Sequence, residues 1–190
     1  MEPEVKHIHQ ELIEGCRSYN QKAQLQIYKL YYKAMFNTAL RIVNETAEAE
    51  DVMQESFLQA FQRIDTYRGD ASFGSWLKRI VINRSLDALR KKQTGYSLDE
   101  LDHEPVETDN GEEDYMMVLS SKIETIRKAI HMLPDNYRIV LSLYLLEGYD
   151  HEEIAQILDI SDELSRVRYF RARKKLLEHL GRQASASSAV

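Results

Sequence analysis

Positions 65–92 carry the residues best suited to hold a nucleic acid. Tyr67-Arg68-Gly69-Asp70-Ala71-Ser72 reads as a short polar loop, with turn chemistry at Arg68-Gly69-Asp70. A helix is expected from about Ser72, with Leu77, Ile80 or Val81 and Leu89 laying an apolar stripe beside a basic one. Lys78, Arg79, Arg84, Arg90, Lys91 and Lys92 face a single acid there, Asp87. A cationic helix next to a polar loop with rings at Tyr67, Phe73 and Trp76 can hold a single strand, with phosphates on the charges and bases in the loop. Phe73 and Trp76 are spaced like core residues, and burial is the better reading for both. For Tyr67 the site and the core remain equal alternatives.

The overall charge of −6 argues against DNA binding only until the acids are located. Nine of them lie between Gly95 and Ser121, where no Lys or Arg occurs. Without those nine, 25 basic side chains face 22 acidic ones, and the positive charge gathers in two places. Hydrophobic residues make up 43% of the 190 positions, enough for one or two small cores. Cys16 stands alone, so neither an intrachain disulfide nor a thiol metal cluster is expected. His7 and His9 read as a solvated pair, not as metal ligands. The apolar run over 139–146 is too short to span a bilayer, and no charged-then-apolar leader is evident. A cytoplasmic protein without membrane insertion is the simplest expectation.

The elements around this stretch read as helices. Residues 1–20 form a lead-in. Over 22–43, Leu25, Tyr28, Tyr32, Phe36, Ala39 and Val43 recur at helical spacing, and the tyrosines read as core and boundary packing, not as a site. Thr46 is the expected cap of the next helix, with Glu48, Glu50 and Asp51 in its first turns. Met53, Phe57, Ala60, Phe61 and Ile64 bury one side of it. Another side carries Glu48, Asp51, Gln54, Glu55 and Gln62, which on physics alone fits a solvated face better than a docking surface.

Residues 95–116 hold Gly95, Pro105 and Gly111 among the acids and read as a flexible linker. Helical spacing returns with Val118, Ile123, Ile126, Ile130 and Leu133, stops at Pro134, and resumes to Gly148. Asp150 and Glu153 have the spacing of a capping box. They open a short helix with Ile154, Ala155 and Leu158 inward. After the turn Asp159-Ile160-Ser161, a basic helix runs to about Leu180. Short helix, tight turn and basic helix make a helix-turn-helix. The expected architecture is all-α: helical domains over 1–94 and 117–182, the linker over 95–116, and a disordered tail over 183–190.

These residues together resemble the sigma-70 family, in particular its extracytoplasmic-function (group IV) members. The resemblance rests on Glu50-Asp-Val-Met-Gln-Glu-Ser-Phe57, Tyr67-Arg-Gly-Asp70, Phe73-Gly-Ser-Trp-Leu77 with Asn83 and Asp87-Ala-Leu-Arg90, and Leu133-Pro134 with Tyr137-Arg138. Glu153-Ile-Ala155, Leu158 and the run from Ile160 to Leu176 complete it. It implies a promoter-specificity subunit of bacterial RNA polymerase with no catalysis and no cofactor of its own. Glu48, Asp51, Gln54 and Glu55 would dock on the β′ clamp helices, against the solvated reading. Tyr67, Arg68, Gly69, Asp70, Ala71 and Ser72, with Asn83, would hold a flipped −10 base. Lys78, Arg79, Arg84, Arg90 and Lys91 would hold nearby phosphates. Ser161, Arg166, Val167, Phe170, Arg171 and Lys174 would meet the −35 element, beside the β flap. The acidic linker would lie in the RNA-exit path, and an anti-sigma factor would be the antagonist.

One stretch departs from the family pattern. The start of the basic helix reads Glu163-Leu-Ser-Arg-Val167, where a Gly-Thr-Val-like run is usual. The inward stripe falls on Ser165, Tyr169, Ala172 and Leu176. Ser165 there forfeits ~1–2 kcal/mol of burial, which a shifted register or repacked Leu164 and Val167 would relieve. A different class of function, a stand-alone helix-turn-helix regulator, would require a dimer and a palindromic site. For an enzyme the sequence offers no nucleophile–base pair, phosphate-cradling loop or metal spacing.

Overall fold

The computed structural model describes residues 9–95 and 114–187, with side chains over 9–92 and 123–181. Among these residues every regular element is helical. The chain divides into two compact units, Met1–Ser97 and Leu98–Val190. The expected flexibility of the acidic segment falls on residues 96–113, outside the described ones, as do His7 and residues 188–190.

The N-terminal unit consists of α1 (Gln10–Arg17), α2 (Gln21–Val43), α3 (Thr46–Gln62), a single 3-10 turn (Ile64–Thr66) and α4 (Phe73–Gly95). Helices α2, α3 and α4 pack on one another, and α1 lies on α2. A Cβ on Gly15 would come within 2.7 Å of the Ala23 Cβ, so only glycine permits that approach. Asn20 caps α2 by accepting from the Lys22 and Ala23 amides at 2.9 and 3.3 Å.

The structure refines one expectation for these helices and corrects another. The buried face of α2 is Ala23, Ile27, Met35, Thr38, Ala39, Ile42 and Val43. Leu25 is exposed, and Tyr28, Tyr32 and Phe36 sit at the boundary. Two overlapping stripes both have helical spacing, and the centre goes to the aliphatic one because tyrosine hydroxyls favour a wet edge. The cap of α3 is Glu45, not Thr46: its carboxylate accepts from the Ala47 and Glu48 amides at 2.9 and 3.0 Å. A carboxylate at this end also gains from the helix dipole. In the core, Val52, Met53, Phe57 and Ala60 of α3 are buried, as are Leu77, Val81, Ile82, Leu86 and Leu89 of α4. Ser56 and Ser85 donate back to the Val52 and Val81 carbonyls at 2.6 and 2.8 Å, so their hydroxyls enter the core satisfied.

The C-terminal unit consists of α5 (Asp114–His131), α6 (Asp135–Leu145), α7 (His151–Leu158) and α8 (Asp162–Ser187). Helices α5, α6 and α7 all pack on α8. Ile130, Leu133, Leu141 and Ala172 form a cluster flanked by Tyr137, Tyr169 and Leu176. Ile123 and Ile126, part of the helical pattern, are exposed; burial on α5 falls on Ala129 and Ile130, with Leu133 buried just beyond its end. Arg138 is only 1% exposed; it donates to Asp135 at 2.7 Å and to the Leu133 carbonyl at 3.3 Å. Burial pushes its guanidinium below the usual arginine range, against the opposing pull of Asp135. The capping box of α7 is formed in both directions, at 2.8 and 2.9 Å. On that helix Ile154 and Ile157 are buried, whereas Ala155 and Leu158 are half-buried. Helix α8 reaches Ser187, beyond the expected end near Leu180 and into the tail expected to lack order. Ala184 and Ala186 favour that extension.

Candidate nucleic-acid interface

The loop before α4 is held from beneath. The Tyr67 hydroxyl donates to the Ala71 carbonyl at 2.9 Å, closing the loop on itself. Its own carbonyl accepts from Arg17 Nη2 at 2.8 Å, which ties the loop to α1. The Tyr67 ring lies 5.5 Å from both Phe73 and Trp76, edge-on to the first, and is 4% exposed. Of the two alternatives for Tyr67, the structure shows the packed one: the ring lies among Phe73 and Trp76, and the hydroxyl is bonded to the loop carbonyl. Burial raises its pKa first, with Arg17 pulling down and Asp70 pushing up. Gly69 sits at φ 85°, a left-handed angle that glycine takes without strain. Ser72 caps α4 by accepting from the Ser75 amide at 3.1 Å. What the loop offers outward is therefore Arg68, Asp70, Ala71 and Ser72.

On α4 the predicted cations divide among several directions. Arg79, Asn83 and Arg90 fall on one helical face at i, i+4 and i+11, all exposed. Arg90 reaches back to Asp87 at 3.3 Å. Arg84 and Lys91 lie about a third of a turn away by the helical period. Arg84 Nε donates to Gln59 at 2.8 Å, and its Nη1 pairs with Glu55. Arg84 is thus engaged within the unit, by an exposed pair that a phosphate contact would have to displace. Lys78 is half-buried on a third side.

On α3, Asp51, Gln54 and Glu55 are exposed along one face and Glu48 is half-buried at its start. Leu58, 63% exposed, stands three residues after Glu55 and four after Gln54, on the same face. Sequence reasoning passed over it. The available signal was a leucine outside the inward set of Met53, Phe57, Ala60 and Phe61.

The helix-turn-helix is closed by backbone and cap. Asp159 takes φ 54°, the Ile160 amide donates to the Ala155 carbonyl at 3.0 Å, and Ser161 Oγ accepts from the Leu164 amide at 3.1 Å. Ser165 and Ala172 are fully buried, with Tyr169 and Leu176 half-buried beside them. The inward register is therefore the simple one, and neither proposed relief occurs: Leu164 and Val167 remain exposed. Instead Ser165 Oγ lies 2.9 Å from His151 Nδ1. The His151 ring stacks on Tyr144 at 4.7 Å and meets Tyr169 at 5.6 Å. Arg166, Val167, Phe170, Arg171 and Lys174 all face outward, Phe170 at 69% exposure. Arg166 Nε donates to Asp162 at 2.9 Å, which raises its pKa further, and the exposed guanidinium carries further donors beyond that bond. Among the described residues no group of three His, Cys, Asp or Glu is placed to hold a metal ion, and no helix is long and apolar enough to cross a membrane.

Fold and sites define a helical protein with a helix-turn-helix in its second unit and a basic loop–helix surface in its first. Two family profiles match it: Sigma-70 region 2 over residues 27–94, and Sigma-70, region 4 over residues 123–176. The RNA polymerase sigma-H factor of Pseudomonas aeruginosa is 31% identical over 186 residues, covering 92% of this chain and 96% of its own. The ECF RNA polymerase sigma factor SigW of Bacillus subtilis is 29% identical, covering 88% and 94%. The ECF RNA polymerase sigma-E factor of Escherichia coli K12 is also 29% identical, covering 88% and 91%. Two solved structures share the fold. The sigma factor RpoE in complex with the anti-sigma factor NepR, from Bartonella quintana, has a TM-score of 0.57 at 22% identity, covering 82% of this chain and 95% of that one. CnrH in complex with the cytosolic domain of CnrY has a TM-score of 0.54 at 23% identity, covering 90% and 95%. The chain belongs to the sigma-70 family, in its extracytoplasmic-function branch, and is an RNA polymerase sigma factor.

Proposed function

We propose that the two units divide promoter recognition between them, with domain limits at 1–94 and 117–182 and residues 95–116 as the connection. The first unit docks on the β′ clamp helices through Asp51, Gln54 and Glu55, with Glu48 at the margin and Leu58 as an apolar contact. Negative charge on this face suits a basic partner surface, and an exposed leucine among the acids suits an interface centre. The loop at Arg68, Gly69, Asp70, Ala71 and Ser72 takes an unpaired −10 base, and Arg79, Asn83, Arg90 and Lys91 follow the backbone. Tyr67 supports this loop from the inside.

The second unit, beside the β flap, reads the −35 element through the first turns of α8. The observation that carries this reading is the outward display of Arg166, Phe170 and Arg171 by a helix whose opposite side is locked into the core. Ser161 serves as the cap, Arg166 reads a base, and Lys174 lies where a phosphate would pass. The protein works in the cytoplasm with core polymerase, which supplies all the catalysis. An anti-sigma factor restrains it, as one accompanies the structural relative RpoE above.

The decisive experiment is transcription by core polymerase plus this protein on a promoter library randomised at −35 and −10. Selective initiation that vanishes without either component is expected. Initiation indifferent to both elements would refute the division of labour.

A further inference from the structure

We propose that His151 is a positioning residue for −35 recognition: through its hydrogen bond to Ser165 it sets the first turn of α8, and with it the aim of Arg166. The idea rests on the reading that α8 meets the −35 element.

The argument begins with an awkward serine. Ser165 occupies the most buried position in the first turn of α8, at 0% exposure, where an apolar side chain would ordinarily anchor the helix. A buried hydroxyl without a partner destabilises, and a bonded one is directional. Its partner is His151 Nδ1 at 2.9 Å, on the first residue of α7. The link therefore joins the start of one helix of the motif to the start of the other. An apolar contact at this place would tolerate small slides and rotations of α8, whereas a hydrogen bond of this length does not.

The histidine is itself fixed. Its ring stacks on Tyr144 of α6 with an interplanar angle of 22°, and Tyr169 of α8 meets it in a T-shaped contact beside Tyr144. Tyr144 and Tyr169 are in mutual contact at 4.5 Å. Rings from α6 and α8 thus orient the imidazole, with Nδ1 within hydrogen-bond reach of Ser165. Asp150 and Glu153, flanking it, are engaged in the capping box, which fixes the backbone that carries the ring.

Arg166 follows Ser165 directly, so any rotation of the first turn moves its guanidinium. A bidentate contact with a guanine edge is sensitive to such a shift, while phosphate contacts by a flexible cation are not. His151 touches no DNA in this scheme. Its loss should alter which base is preferred more than it alters overall affinity.

The test uses the full chain with core polymerase and measures promoter binding for each base at each −35 position. The variants are H151A, S165A, the double variant, H151N and R166A, with thermal unfolding recorded for each. Asparagine carries a polar atom near the place of Nδ1, so H151N should restore the bond. H151A and S165A should each lower discrimination at the position relaxed by R166A by about three- to tenfold. The double variant should lose no more than either single, and H151N should recover most of the loss. Equal weakening for every −35 sequence, or full retention of the preference in both single variants, would overturn the proposal. If R166A leaves all preferences intact, the reading of Arg166 fails separately. A shift by H151A and S165A at another −35 position, reversed by H151N, would then still uphold the positioning role, and an unchanged profile would end it.

Discussion

Arg84 of α4 is bonded to Glu55 of α3, and its Nε also reaches Gln59 at 2.8 Å. One partner had been assigned to DNA and the other to polymerase, yet they meet each other. The bond means that a substitution at Glu55 tests two things at once. Asp51, exposed on the same face, separates them. Asp51→Arg should weaken binding to core polymerase by ~2–5 kcal/mol while leaving thermal stability unchanged. Glu55→Arg should do the same and also lower stability by ~0.5–1 kcal/mol, the scale of an exposed pair. The swap Glu55→Arg with Arg84→Glu should recover the stability but not the docking. Equal polymerase affinity for Asp51→Arg and wild type, in a direct titration, would remove this face from the interface.

Tyr67 acts from under the loop, so its substitutions should report on loop order. Tyr67→Phe keeps the ring among Phe73 and Trp76 but loses the bond to Ala71. A stability loss of ~0.5–1.5 kcal/mol is expected, with slower strand opening at −10. Tyr67→Ala leaves a cavity and should lose ~3–5 kcal/mol. Permanganate reactivity of −10 thymines, read at a temperature where each variant is folded, measures the opening. A Tyr67→Phe protein with unchanged stability and opening would show that the hydroxyl does not order the loop.

Apart from the cap of α3, which falls one residue earlier than expected, local signals in this chain were legible and distant ones were not. The capping box at Asp150 and Glu153 and the turn from Asp159 to Ser161 involve partners within a few residues, and both formed as read. The inward register of α8 was also correct, because the 3.6-residue period fixes it. The relief of Ser165 by His151 spans fourteen residues, and the tie from Arg17 to Tyr67 spans fifty. No period or spacing encodes such pairs. On α2 the pattern itself was ambiguous, since a wide apolar arc contains two stripes and only packing against α3 and α4 selects Ile27 and Met35 over Leu25.

The buried Arg138 makes a separate prediction for the C-terminal unit. Its bond to Asp135 and to the Leu133 carbonyl places a charge at 1% exposure. Asp135→Ala should lose ~1–3 kcal/mol in denaturant unfolding, because the guanidinium stays buried with one acceptor fewer. Arg138→Met removes charge and donors together and should cost less than Asp135→Ala, as buried ion pairs often exchange for apolar residues at little loss. The reverse order would show that the pair itself is strongly stabilising.

Stability should fall on the alkaline side. Burial raises the Tyr67 and Tyr31 hydroxyls above their ordinary 10.0 and the Cys16 thiol above 9.0. Above those ordinary values the unfolded chain has released protons that the folded chain still holds. Unfolding is then favoured progressively as pH rises, while below pH 9 these groups leave stability unchanged. Denaturant midpoints measured from pH 8 to 11 should drop from about 9 upward, and Tyr67→Phe should flatten the upper part. A midpoint constant to pH 11 would contradict the burial of all three groups.

Arg166 provides the sharpest test of the C-terminal unit. Asp162 holds its Nε from one turn earlier, which spends one donor and leaves the Nη donors of this exposed side chain for a ligand. That end of the fork matches the two major-groove acceptors of guanine. Phe170 stands one turn further along the same face, and Lys174 one turn beyond it. Base reading should therefore occur at the start of the helix and phosphate contact towards its middle. Arg166→Ala should lower affinity for the preferred −35 sequence about ten- to hundredfold and relax preference at one position. Asp162→Ala should relax the same position less, because the guanidinium remains but is no longer held. Lys174→Ala should weaken all −35 sequences alike and reduce the salt dependence. If Arg166→Ala weakens every sequence equally, as Lys174→Ala should, then Arg166 contacts phosphate and the bases are read by Phe170, Arg171 or Val167.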